Sequence, residues 1–188
     1  MTSSTLLVYV QWTGHVLAAA TVAAPPGQDI QPAALAGLQL PVRYIGGSSS
    51  PDVEVCVPAE ELAVLPVDSQ AVKIDSALSM EVRPDRSVAA LGSVPLASSF
   101  VKFTANNTLT VTFPSPSTDK ALVWARVQPQ LVSNLGQLAD GSRTAHGEDP
   151  GTGTVNLTMQ PPLPHSVPYS ILVLVSGFPP LLFTLTTP

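Results

Sequence analysis

The sequence predicts an all-β protein, an antiparallel β-sandwich or jelly-roll-like domain with one to three short helical turns. Three observations carry that expectation. About ten short apolar or alternating runs recur along the chain; clusters of Pro, Gly and Asn separate them; and helical spacing is marginal wherever it occurs. The 188 residues suit a single domain over 1–188 with a substantial core, and a Pro- and Ser-rich link at 114–120 is the one place where it could divide. No internal repeat stands out.

The strongest element lies near the end. Tyr169–Ser176 is a continuous apolar run, the pattern of a strand buried on both faces. After Gly177-Phe-Pro-Pro180 the chain alternates, with Leu181, Phe183 and Leu185 on one side and Leu182, Thr184 and Thr186 on the other. The short turn predicts a local hairpin; the competing arrangement has the last strand adding to a neighbouring subunit's sheet. This is also the most apolar segment, but the Pro pair splits it well short of the ~20 residues a spanning helix needs, so no membrane span is expected.

From the start of the chain, Leu6–Trp12 and Val16–Ala24 read as strands joined at Thr13-Gly14-His15. Gln31-Pro-Ala-Ala-Leu-Ala-Gly37 has Pro and Gly where a one- or two-turn helix starts and stops. Leu38–Ile45 is a strand that Pro41 confines to an edge or a bulge. Val53, Val55 and Val57 alternate around the lone Cys56, which reads as a small strand hydrophobe. Pro58–Leu65, with Glu60 and Glu61 in its first turn, reads as a short helix closed by Pro66. Adjacent acids on a helix do not face each other, so no acid/base pair is implied.

Gln70–Arg83 alternates as a long half-exposed strand, Pro84-Asp-Arg86 turns, and Val88–Leu91 continues. Phe100–Thr104 and Thr108–Phe113 form the clearest hairpin. A register pairing Phe103 with Leu109 and Val101 with Val111 puts apolar residues on one face, and it calls for a three-residue loop with Asn107 left-handed. In Ala121–Gln128 the small residues share one face while Leu122, Trp124 and Arg126 share the other. Trp124 and Arg126 could together hold a ligand, though a core Trp with Arg126 snorkelling outward is the more usual arrangement. Leu131, Leu135 and Leu138 fit either a short helix or a loop. Residues 140–153 look most loop-like, and Thr154–Gln160 alternates with Val155, Leu157 and Met159 inward.

Composition narrows function. Charged residues are only 11% of the chain against roughly 25% in soluble domains, and its 20 prolines are about twice the usual share. A net charge of -5 and scattered Lys and Arg argue against nucleic acid. One cysteine excludes an internal disulfide framework and a Cys-based zinc site. No basic segment precedes the first apolar run, so no signal peptide is expected. Asp140, His146, Glu148 and Asp149 gather among glycines, where a solvated loop or a cation site could form, although the spacing is not that of an EF-hand. His15, His146 and His165 are far apart, and no hydrolase, metalloprotease or phosphate-loop pattern occurs. Two Asn-x-Thr sequons, at Asn106 and Asn156, are read as chance.

Together these features predict a non-enzymatic structural protein of a larger assembly, most simply a viral or phage particle component. It would be a capsid, cement or tail protein, virion-located and in contact with itself and other proteins, with no cofactor or metal. The alternative is a binding module that recognises carbohydrate or another surface ligand through its end loops. Candidate contacts are Trp12, Trp124, Arg126, Asp140, His146 and Asp149. A hydrolase or isomerase on the same scaffold has no positive sign in the sequence.

Overall fold

The computed structural model describes residues 4–22, 30–44, 53–68, 78–94, 96–113, 121–130 and 141–188. Its elements in chain order are β1 (Ser4–Val10), β2 (Val16–Val22), α1 (Pro32–Ala36), β3 (Gln39–Tyr44) and β4 (Val53–Pro58). Next come a 3-10 turn at Ala59–Glu61, β5 (Leu62–Asp68), β6 (Met80–Val82), β7 (Val88–Ala90) and a second 3-10 turn at Ser98–Phe100. The chain continues as β8 (Val101–Ala105), β9 (Thr108–Thr112), β10 (Leu122–Pro129), β11 (Arg143–Glu148), β12 (Thr154–Thr158), β13 (Pro168–Val175) and β14 (Leu181–Thr186). The protein is all-β, and its strands pair antiparallel throughout the described residues.

The central sheet runs β11-β10-β13-β14. Its inner strands lie buried on both faces, as the unbroken apolar run of β13 requires. On one face, Val123, Ala125 and Val127 of β10 join Tyr169, Ile171, Val173 and Val175 of β13. They pack against the sheet β12-β9-β8 through Val101, Leu109, Val111, Val155 and Leu157. On the other face, Trp124, Leu172 and Leu174 meet Val55 and Val57 of β4, Leu62 of β5 and Val8 and Val10 of β1. A third cluster joins Leu7, Val16 and Leu65 to Val82. It extends the β2-β1-β5 sheet onto the small β6–β7 hairpin.

Most pattern-based expectations hold. β1 and β2 form the opening hairpin, α1 is the short helix, and β13 and β14 pair locally, with Ile171 opposite Phe183. The last strand therefore belongs to this chain's own sheet. The β8–β9 register is also as expected, with Phe103 opposite Leu109 and Val101 opposite Val111.

Four expectations are corrected. Asn107 is not left-handed; the only described non-glycine residues with positive φ are Arg86 and Ser166. Instead Ala105 faces Thr108 across a two-residue Asn106-Asn107 turn, and an irregularity between Phe103 and Ala105 absorbs the extra residue. Helix does not extend from Pro58 to Leu65: after Glu61 the chain enters β5, because pairing with β1 and burial of Leu62 outweigh the weak helical preference of so short a segment. Residues Arg143–Glu148 are not loop but β11, paired with β10 from Leu122↔Glu148 to Val127↔Arg143. The long strand from Gln70 is described as strand only from Met80, with Leu78 and Ser79 in a 3-10 turn; 70–77 lie outside the described residues, as do the Leu131–Leu138 segment and the 114–120 link.

Gly14 explains how the opening hairpin meets β6. It sits at φ 76, its carbonyl accepts the Val82 N–H at 2.7 Å, and a Cβ built there would lie 2.0 Å from the Val82 carbonyl oxygen. Gly14→Ala therefore has to both strain the turn and push β6 away. It is expected to lower the unfolding free energy by roughly 2–4 kcal/mol in urea titration.

Candidate functional site

The turn between β1 and β2 and the hairpin of β6 and β7 enclose a cleft of about 300 Å³. Tyr9, Gln11 and Trp12 line one side, and Glu81, Arg83 and Arg86 the other. Trp12 is 37% exposed. Its indole lies against the His146 ring, with centroids 4.2 Å apart and planes tilted by 41°, and its Nε1 donates to the Gly147 carbonyl at 3.3 Å. A surface tryptophan is thus fixed by β11 and still faces the cleft. On the opposite wall, the Glu81 carboxylate accepts the Gly177 N–H at 2.9 Å, and Arg83 Nε lies 3.8 Å from its other oxygen.

Arg86 is in the left-handed region, at φ 66. That conformation is uncommon for a residue with a side chain. Its N–H donates to the Arg83 carbonyl at 2.8 Å, and Asp85 Oδ1 accepts from both the N–H and the hydroxyl of Ser87, at 2.9 and 2.6 Å. Those bonds hold the turn in place. They also hold the Asp85 carboxyl below its ordinary pKa, the Ser87 hydroxyl being the larger influence.

Directly beneath the cleft lies His15, fully buried, bridged to Glu81 as an isolated β pair. Its Nε2 donates to the Phe178 carbonyl at 2.8 Å, which fixes the neutral tautomer with the proton on Nε2. Nδ1 has no partner with hydrogen-bond geometry. Burial holds the pKa below the ordinary 6.5, opposed more weakly by the Phe178 bond, by Glu81 and by the Thr13 backbone.

The remaining candidates divide. Trp124 is fully buried beside Leu172 and Leu174, and its Nε1 donates to Glu61 at 3.2 Å, so it is core and does not line this cleft. Arg126 does not snorkel to solvent. It is buried, it bonds Thr144 Oγ1 at 2.8 Å through Nη1, and its Nε has no partner. Its hydrogen-bond partner Thr144 sits opposite it on β11, where the sequence reads a loop. Burial lowers its pKa, and the neighbouring Cys56, Glu60 and Glu61 offset part of that. The Cys56 thiol is pushed up by burial and by Glu54, which is the reverse of what a thiolate nucleophile needs.

Asp149 is fully buried, and its Oδ1 accepts the N–H groups of Gly151, Thr152 and Gly153 at 3.0–3.1 Å. Oδ1 organises the loop into β12, while Oδ2 is buried without a hydrogen-bond partner. Asp140 lies outside the described residues. Among the described residues no three metal-ligating side chains converge, and no helix is long and apolar enough to cross a membrane. The structure brings the Trp12 ring against His146, whose backbone lies opposite Trp124 in the β10–β11 register; of these three only Trp12 lines the cleft.

Tyr9, Glu81, Arg83 and Arg86 went unrecognised in the sequence. Nothing in Met80–Ala90 announces that this hairpin docks on the opening turn, and an arginine in a left-handed turn has no sequence signature. Glu61, which the sequence places only in the first turn of a short helix, accepts the bond of the buried Trp124. No family model, curated protein or solved structure matches the chain.

Two outcomes follow from this geometry. Asp149→Ala removes the acceptor of three backbone bonds and is expected to cost about 2–4 kcal/mol, read as a lowered urea midpoint. For His15, the folded pKa is below the unfolded one, so the unfolded chain takes the proton first as pH falls. The stabilisation is complete above pH 6.5 and is lost on acidification through that value. Denaturation midpoints should fall between pH 7.5 and 5.5, and in His15→Gln, which can still donate to Phe178, that part of the slope should disappear.

Proposed function

We propose that this chain is a non-enzymatic structural component of a larger assembly, of the kind found in viral or phage particles as capsid, decoration or tail proteins. It works through contacts with other proteins and with copies of itself. The observation that carries the reading is β14. It is the edge of the central sheet, pairs only with β13 among the described residues, and over Leu181–Thr186 carries no charge and no proline. Monomeric proteins usually blunt such an edge with Lys, Pro or a bulge. Beside it lies a mostly apolar groove of about 530 Å³, lined by Val42, Leu78, Leu181, Leu182 and Phe183 with Arg43 and Ser98 as its polar members.

Exposure elsewhere agrees with this reading. Leu38 is 86% and Val94 72% exposed, in a chain whose charged fraction is 11%. Single exposed apolar side chains are common on protein surfaces, so the reading rests on the β14 edge and the groove beside it. Hydrogen bonding along the free edge of β14 is the simplest way for a second copy to attach.

Light scattering on the purified full chain tests the reading. Mass above that of one chain is expected at tens of micromolar. Thr184→Lys, which puts a charge on the exposed side of β14, should shift the mass towards the monomer with an unchanged circular dichroism spectrum. A wild-type chain that stays monomeric across the range overturns self-assembly.

A further inference from the structure

The cleft beside Trp12 is independent of the β14 edge, and its chemistry is that of a ligand site. Four features coincide there. An aromatic ring is exposed, yet it is held from behind by His146 and tied at its N–H to Gly147, so little freedom is lost when a ligand stacks on it. Because the indole N–H is already engaged, what Trp12 presents is its apolar face. Opposite stand groups of both kinds, an acceptor in Glu81 and donors in Arg83 and Arg86. The volume of about 300 Å³ lies at the small end of the ~300–1,000 Å³ usual for small-molecule sites.

Arg86 adds an independent sign. Glycine or asparagine would occupy its left-handed position at less cost; the turn is held by the Arg86 N–H to the Arg83 carbonyl and by Asp85 and Ser87, none of which uses the Arg86 side chain. That leaves the long cationic side chain free to act from the cleft wall it lines.

We propose that this cleft binds a saccharide unit. The apolar face of the sugar ring stacks on Trp12, and its hydroxyl groups are shared between the Glu81 carboxylate and the Arg86 guanidinium. A purely anionic ligand would meet Glu81, and a purely apolar one would gain nothing from the Glu81 and Arg83 pair or from Arg86; a polyhydroxylated ring with one apolar face uses the aromatic and the polar wall together. The site stands whether or not β14 pairs with another copy.

The test applies the full chain to an array of neutral and acidic oligosaccharides and then measures affinity for the best of them in solution. Binding confined to structurally related glycans is expected. Trp12→Ala should weaken it at least tenfold. Arg86→Gly should weaken it similarly while raising the thermal midpoint, a combination that a merely structural arginine would not produce. Trp12 also supplies a direct readout, because the only other tryptophan, Trp124, is fully buried. Bound saccharide should protect the accessible fluorescence from acrylamide quenching. Silence across the array, wild-type affinity in Trp12→Ala, or unprotected quenching at saturation would each overturn the proposal.

Discussion

The arrangement of this protein depends on burying β13 on both faces. Ile171, Leu172, Val173, Leu174 and Val175 are all essentially inaccessible to water. At ~1.5–3 kcal/mol for each large aliphatic side chain, their burial supplies on the order of 10 kcal/mol of gross driving force. A strand with no polar face cannot sit at an edge or in a sheet with one side in water. It must lie inside a sheet, and that sheet must be covered twice. The β8-β9-β12 sheet covers one side; β4, β5 and β1 cover the other. The two core clusters are therefore the two sides of one strand pair, β10 and β13, and the peripheral hairpins are arranged around them.

Covering both faces has a cost that appears at β10. Trp124 and Arg126 lie on the face turned toward β4 and the Ala59–Glu61 turn, where water cannot reach their polar atoms. Trp124 finds Glu61 for its N–H, and the Cys56 N–H finds Gln128 Oε1 at 2.9 Å. Arg126 is only partly satisfied: Thr144 takes one nitrogen, and Nε is left without a partner. Such a group weakens a core unless its surroundings compensate. Cys56, Glu60 and Glu61 lie close enough to offset part of the effect of its burial, and Glu61 also accepts the Trp124 bond.

Local pattern made much of the fold legible. Alternation and turn residues located the β1–β2, β8–β9 and β13–β14 hairpins, and face matching set the β8–β9 register, because a one-residue slip would have turned Val101 and Phe103 outward. The failures share a cause. Leu62–Leu65 and Arg143–Glu148 become strands because a distant partner, β1 or β10, offers them a ladder, and nothing within either segment records that partner. β11 is the extreme case: Arg-Thr-Ala-His-Gly-Glu has little strand character of its own. The site was legible only in single residues. Trp12 and His146 were each recognisable as candidates, but that they touch depends on β11 existing. The opposite wall of the cleft depends on β6 meeting Gly14.

The bond from His15 to the Phe178 carbonyl spans 163 positions. It joins almost the first turn of the chain to almost the last, with β6 held between them by Gly14 and Glu81. Contacts of that separation are slow to form because a long loop must close before they contribute anything. On a ribosome adding ~5–20 residues each second, the opening hairpin emerges many seconds before the strand turn that caps it. Until then His15 is open to solvent and free to ionise, and the β2-β1-β5 sheet has one apolar face with nothing over it. The packing around the opening hairpin can therefore be complete only once β13 and the turn after it have been made.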